Sequence, residues 1–227
     1  MTERDDPSTE YQAQPRMPRI GEPAVPFRVR TTMGECRLSD YAGRWLLLFS
    51  HPSDFTPVCT SEFIAFARAY GEFQALGCDL LRLSVDSVFA HVAWVRSIRD
   101  QFDVEIPFPI AEDLSMSMAA AYGMIHPGDT DTATVRASFL IDPTGIVRFI
   151  SYYPMSTGRN IDELLRTLAA LQETDASGLS TPAGWRPGED GVLMPPVNVA
   201  EADAREEAGA PAWYYQLRTV RSGSSRP

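Results

Sequence analysis

Cys59 closes the stretch His51-Pro52-Ser53-Asp54-Phe55-Thr56-Pro57-Val58-Cys59, and Thr60-Ser61-Glu62 follow it. An apolar segment, Trp45-Leu46-Leu47-Leu48-Phe49-Ser50, runs before this stretch, and Phe63, Phe66, Ala67, Tyr70 and Phe73 recur after it on one face of a helical pattern. A strand, a turn with two prolines and a helix are therefore predicted, with the sulfur at the junction. Thr56 suits the N-cap position and Pro57 suits N1, where its missing N–H costs nothing. That counting puts Cys59 at N3, among backbone N–H groups without intrahelical partners and beside the positive end of the macrodipole. A thiol so placed is drawn toward thiolate, the form that reacts. The chemistry implied is that of a redox-active cysteine. A free cysteine is also among the most buried residue types and often only a small hydrophobe; the turn prolines, the cap hydroxyl and the strand-to-helix junction distinguish this one.

The other cysteines, at 36 and 78, complete an odd and sparse set with no Cys-x-x-Cys pair, the opposite of a disulfide framework. With only His51, His91 and His126 available, no metal site is predicted, and no other cofactor. A net charge of −10 excludes nucleic acid and anionic membrane surfaces as partners, since both need concentrated basic surface. No apolar run approaches the roughly 20 residues needed to cross a bilayer. The opening Met1-Thr2-Glu3-Arg4-Asp5-Asp6 has no apolar leader core. The expectation is a soluble, cytoplasmic protein.

The elements that must position the sulfur follow from the same reading. Residues 1–18, with Pro7, Pro15 and Pro18 among polar residues, read as a flexible arm, and 19–44 as a short β region with a turn at Met33-Gly34. After the strand at 45–50 and a helix over 57–76, a second buried strand is predicted over 79–85. Val88, Val92, Val95 and Phe102 then form a helical stripe capped by Asp86 or Ser87. The segment from Ile106 to Ile110 contains two prolines, so an edge or bent strand is expected, and then a short helix over 114–122. Ser138-Phe139-Leu140-Ile141 and Ile146-Val147-Arg148-Phe149-Ile150 flank the turn Asp142-Pro143-Thr144-Gly145 as a hairpin. Asn160 and Glu163 have capping-box spacing ahead of Leu164, Leu165, Leu168 and Leu171. Two βα units, a hairpin and a final helix make a central mixed sheet flanked by helices, the layout of a thioredoxin-like fold, though other α/β folds share the pattern. The domain runs over 19–172. Residues 173–227 form an irregular C-terminal extension, in which Trp213-Tyr214-Tyr215 pack either on the domain or on a second subunit.

Pro52-x-x-x-Thr56-x-x-Cys59 resembles the peroxidatic signature of the peroxiredoxin family (alkyl hydroperoxide reductase/thiol-specific antioxidant), and the string from His51 to Glu62 is similar to its one-cysteine, type VI branch. The resemblance continues in Leu83-Ser84-Val85-Asp86-Ser87, Tyr122-Gly123-Met124-Ile125-His126-Pro127-Gly128 and Thr134-Val135-Arg136. It resumes in Tyr153-Pro154-Met155-Ser156-Thr157-Gly158-Arg159-Asn160 and Thr181-Pro182-Ala183-Gly184-Trp185-Arg186-Pro187-Gly188, covering residues 18–218 in all. It implies a thiol peroxidase in which the Cys59 thiolate attacks the O–O bond of hydrogen peroxide or an organic hydroperoxide and becomes sulfenic acid. It also implies that Arg136 favours the thiolate and donates to the peroxide, that Thr56 presents its hydroxyl there, and that Pro52 shields the sulfur. Glu62 and Arg159 match residues that hold the arginine, and His51 matches a histidine beside the pocket. Without the family, each of these charges reads as an ordinary solvated residue and His51 as a hydrogen-bonded structural one.

No cysteine follows Cys78, so the resolving cysteine that many relatives carry is not evident. The expected reductant is an external thiol, low-molecular-weight or a thioredoxin-like protein. Tyr41-Ala42-Gly43-Arg44-Trp45 stands where some relatives place a Gly-x-Ser-x-Gly phospholipase segment, so no such activity is expected. A homodimer or larger homo-oligomer is implied by the resemblance. The alternative function is a peroxide sensor or redox-regulated chaperone-like binding protein using the same cysteine; a disulfide reductase would need two nearby thiols.

Overall fold

The computed structural model describes residues 17–126, 128 and 132–219; all but the last two residues of the expected N-terminal arm lie outside them. Seven strands form one sheet: β1 (Arg28–Thr31), β2 (Gly34–Arg37), β3 (Trp45–Ser50), β4 (Cys78–Ser84), β5 (Ile110–Glu112), β6 (Arg136–Ile141) and β7 (Val147–Tyr153). Their order is β2-β1-β5-β4-β3-β6-β7, with β3 parallel to β4 and antiparallel to β6. The helices are α1 (Pro57–Ala75), α2 (Val88–Phe102), α3 (Ser117–Ala121) and α4 (Ile161–Ser177). This is the mixed, helix-flanked sheet that the pattern predicted.

All six residues of β3 are buried, as a central strand covered on both faces requires. Trp45, Leu47 and Phe49 face a core shared with Phe63, Phe66 and Phe73 of α1, Trp94 and Ile98 of α2, and Leu164 and Leu168 of α4. Leu46 and Leu48 face the opposite core, with Leu81, Leu83, Phe139 and Met118. The first core is largely aromatic: the Phe49 and Phe66 rings lie 4.2 Å apart, and those of Phe63 and Trp94 lie 4.3 Å apart. It anchors the first half of α1 against the end of β3, and so fixes where the helix starts.

Three expectations change. The buried face of α2 consists of Val88, His91, Trp94 and Ile98, while Val92 and Phe102 are exposed; the expected stripe of valines and Phe102 passed over the histidine and tryptophan at the correct helical spacing. Of the two expected caps, Ser87 is the one used, accepting from Ala90 N at 3.2 Å, whereas Asp86 accepts from Asp54 N at 3.0 Å. The strand expected at the prolines starts beyond them, at Ile110, and lies inside the sheet between β1 and β4. An N–H is available from Ile110 onward, and Pro109 contributes only its carbonyl, to Arg82 N at 3.1 Å. α3 is shorter than 114–122 because Met116 is in the left-handed region and the Asp113 carboxylate accepts from Ala119 N at 2.7 Å.

Beyond the sheet, α4 runs through the change of texture at Gln172 and ends on Gly178 at φ +70°, where a left-handed cap favours glycine. The extension carries more order than its composition suggested: α5 (Val199–Glu207), capped by Asn198, and a short pair, β8 (Gly191–Val192) with β9 (Leu217–Arg218). Trp213, Tyr214 and Tyr215 remain 42%, 60% and 42% exposed, so they are not packed away on their own domain.

Candidate active site

The start of α1 matches the counting from sequence: Thr56 occupies the N-cap position, Pro57 is the first helical residue and Cys59 the third. The cap bonding differs. The Thr56 hydroxyl makes no capping bond and instead donates to the Ser53 carbonyl at 2.9 Å. A hydroxyl that has given its proton to a carbonyl is an acceptor toward whatever else approaches. Immediately before it, Phe55 is in the left-handed region at φ 55°, which turns the chain from the strand end into the helix at a cost of about 1 kcal/mol for a non-glycine residue. Pro52 is buried within this turn.

Cys59 has 0% exposure, with half-buried Val58 and Thr60 on either side. Its sulfur is not sealed in hydrocarbon, because Arg136 Nη1 lies 3.3 Å away. Arg136 opens β6, and Nε and Nη2 both donate to the Met155 carbonyl, at 3.1 and 2.7 Å, while Nη1 also reaches Glu62 Oε2 at 3.0 Å. Glu62 lies one turn along α1 from Cys59. Arg159 grips it in a two-pronged pair, Nε to Oε1 at 2.9 Å and Nη2 to Oε2 at 2.7 Å, and adds its backbone N at 2.9 Å. Burial alone would raise the Glu62 carboxyl; the charge and hydrogen bonds of Arg159, with the charge of Arg82, outweigh it and hold the group down at about 2. Glu62 is therefore a fixed anion that orients two arginines, and Arg136 in turn presents one nitrogen to the sulfur.

His51 does not join this network by a hydrogen bond. Its Nε2 lies 2.8 Å from Asp54 Oδ1, and the other oxygen of Asp54 lies 2.7 Å from His91 Nδ1. Burial, reinforced by the positive charge of Arg82, pulls His51 down to about 3 against the opposing pull of Asp54, so the imidazole is neutral. An ionised Asp54 places the His51 proton on Nε2, and Nδ1 has no protein hydrogen-bond partner among the described residues. The donor atoms of His51, Asp54 and His91 fall within 4.8 Å of one another. Counting histidines did not reveal that two of the three converge.

Of the residues singled out from sequence, the structure joins Cys59, Glu62, Arg136 and Arg159 in one network, while Thr56 bonds to Ser53 and His51 to Asp54; Asp54, His91, the Met155 carbonyl and Arg82 were not singled out. Arg82 left a signal: a lone charge inside the apolar run Leu80-Leu81-Arg82-Leu83.

A thioredoxin-like sheet that presents a thiol on a helix start, facing a carboxylate-braced guanidinium, defines a class of thiol-based redox proteins. Comparison with known proteins narrows it. The AhpC/TSA family model matches residues 20–150, and the C-terminal domain of 1-Cys peroxiredoxin matches 170–209. The chain is 50% identical over 199 residues to peroxiredoxin 2 of Thermoplasma acidophilum, covering 87% of this chain and 99% of that one. It is 47% identical over 217 residues to a peroxiredoxin of Aquifex aeolicus, covering 90% and 98%. Among solved structures, a yeast mitochondrial 1-Cys peroxiredoxin aligns with a TM-score of 0.79 at 36% identity, over 89% of this chain and 100% of that one. A cysteine-to-serine mutant of peroxiredoxin 6 of Arenicola marina gives 0.79 at 32%, over 90% and 99%, and the reduced 2-Cys peroxiredoxin of Plasmodium vivax gives 0.71 at 31%, over 76% and 92%. The chain belongs to the peroxiredoxin family and is a thiol peroxidase.

Proposed function

We propose that Cys59 is the peroxidatic sulfur and that it works alone, with an external thiol completing the cycle. The observation that carries this reading is Arg136 Nη1 at 3.3 Å from Sγ, with Arg136 itself held by Glu62 and the Met155 carbonyl. The Cys59 thiol first gives up its proton. The thiolate then supplies an electron pair to the hydroxyl oxygen of hydrogen peroxide or an alkyl hydroperoxide; the O–O bond breaks, and the sulfur becomes sulfenic acid. The departing oxygen takes a proton and leaves as water or alcohol. Arg136 donates to the oxygens as charge grows on them, Thr56 accepts from the peroxide hydroxyl, and Pro52 keeps bulk water off the sulfur.

The single-cysteine mechanism rests on strand geometry. Cys78 pairs with Trp45 at the first residue of β3, whereas Cys59 touches Arg136, which lies beyond the other end of β3; five strand steps separate the two ends by about 16 Å. Cys36 is on β2, four strands from β3 in the sheet, about 19 Å across the ladder. A disulfide needs Cα atoms within about 7 Å, so neither residue meets Cys59 within one chain. The yeast relative is described as resolved through glutathione and thioredoxin systems; thiols of those two classes are the proposed reductants here. Exposed Trp213, Tyr214, Tyr215 and Leu217 support a second copy of the chain as the partner of the C-terminal extension.

Mass spectrometry after one equivalent of hydrogen peroxide, followed by a panel of thiol reductants, tests this reading. Sulfenic acid on Cys59 that an added thiol removes is the expected result. A Cys59–Cys78 or Cys59–Cys36 disulfide overturns the single-cysteine mechanism, and an oxidised Cys59 that no reductant restores points to a sensor.

A further inference from the structure

Arg82 is an arginine where the fold calls for an aliphatic side chain. On β4, Cys78 and Leu80 point into the aromatic core, and Arg82 is the next residue on that face. It pairs across the ladder with Phe49 of β3 and has 0% exposure. Its guanidinium carbon lies 3.6 Å from the Phe63 ring centroid and 5.3 Å from that of Phe49. Nη2 lies 3.4 Å from Glu62 Oε2, a long contact, and Nε and Nη1 have no protein hydrogen-bond partner among the described residues. A charge carried this deep is costly unless it is matched.

Among the described residues, Arg82 has no anion of its own. Arg136, Arg159 and Arg82 all form ion pairs with the same carboxylate, Glu62. Arg159 occupies both oxygens at 2.7 and 2.9 Å, and Arg136 takes a third contact at 3.0 Å. Three buried guanidinium groups therefore face one carboxylate, and the cluster is short of negative charge. Among the described residues, the group in contact with this cluster that can become an anion is the thiol of Cys59, which touches Arg136. We infer that Arg82 is a positioning residue for the peroxidase reaction: its unmatched buried charge makes the site incomplete until Cys59 ionises. Arg136 on β6 touches the sulfur, and through Glu62 on the same helix as Cys59 it is joined to Arg159 ahead of α4 and Arg82 on β4; His51 beyond β3 bonds to Asp54 instead. The proton Cys59 releases passes to solvent. Arg82 is also still cationic at neutral pH: burial brings it down to about 9, with the charge of Glu62 opposing. Cation–π contact with Phe63 offsets part of its desolvation without supplying any negative charge.

This inference rests on Cys59 being the sulfur that meets peroxide, and the test separates the two. The rate of Cys59 oxidation by hydrogen peroxide is measured against pH in single turnover, quenched and read at the Cys59 peptide, for the wild type, Arg82→Met and Arg82→Lys. Arg82→Met should move the rise of the profile up by about one pH unit and slow oxidation about tenfold below it, while thermal stability is kept or increased, because an apolar side chain replaces an unmatched charge. Arg82→Lys, which keeps the charge, should stay nearer the wild-type profile. If Arg82→Met does not fold, Arg82→Gln, uncharged but able to reach Glu62, takes its place. A folded uncharged variant with an unchanged profile overturns the inference, as does a finding that no uncharged residue folds at 82, which would make Arg82 structural. If wild-type Cys59 itself is not oxidised, the assignment of the peroxidatic sulfur fails instead.

Discussion

Nη1 of Arg136 stands 3.3 Å from the sulfur of Cys59, and the same nitrogen reaches Glu62 at 3.0 Å. One donor thus ties the reactive group to a buried carboxylate one helical turn away. The sulfur cannot shift without disturbing the ion pairs that brace the first turns of α1.

Cys59→Ser is expected to abolish thiol-dependent peroxide consumption, whereas Cys36→Ser and Cys78→Ser retain most of it. Burial pushes the Cys78 thiol up to about 12 and raises Cys36 as well, so neither is a ready nucleophile. Turnover surviving in Cys59→Ser would contradict the assignment. On a non-reducing gel, the peroxide-treated wild type should show no interchain disulfide.

Arg136→Met removes the donor on the sulfur and part of the positive field around it. Second-order oxidation by hydrogen peroxide should fall by about 10²-fold, in line with losing one preorganised donor to developing charge. The rise of the pH–rate profile should move to higher pH. Stopped-flow measurements across pH check both; an unmoved profile removes Arg136 from its role.

Glu62→Gln leaves three buried guanidinium groups with no carboxylate. Breaking a buried ion pair from one side costs about 3–5 kcal/mol, to be read from the denaturant midpoint. The pH dependence has a definite sign. The folded-state value of Glu62, about 2, lies below its ordinary 4.5, so its contribution is fully present above pH 4.5 and is lost as pH falls toward 2. The variant should lack that portion of acid destabilisation.

His51 titrates in a higher window. Its folded value of about 3 lies below the ordinary 6.5, so the unfolded chain takes up the proton first as pH drops. The contribution of His51 should be constant above pH 6.5 and decline below it by at most about 1.4 kcal/mol per pH unit. His51→Gln should flatten the slope between pH 6.5 and 4.5; a variant as pH-sensitive as the wild type would assign the loss to another group.

The sequence disclosed what was local and missed what the fold brings together. Strand β3, the start of α1 and the position of Cys59 are written in contiguous residues, so hydrophobic pattern and capping sufficed. Arg136 and Arg159, 77 and 100 positions beyond Cys59, came from family resemblance alone, since nothing in their immediate neighbours marks them as buried. Arg82 and His91 escaped because each sits where an apolar pattern was being counted, and a charged or polar member was passed over. The role of Thr56 was half legible: residue type predicts the cap position, but the competing Ser53 carbonyl decides where the hydroxyl points.

The site hangs on a three-strand alignment. Phe49 of β3 lies opposite Arg82 on one side and Ser138 on the other, and Arg136 shares its face of β6 with Ser138. Because neighbouring residues in a strand point to opposite faces, deleting a single residue inside β4 or β6 would turn a guanidinium out of the aromatic core and put an aliphatic side chain in its place. Such a deletion would disarm the enzyme while leaving every functional residue in the chain.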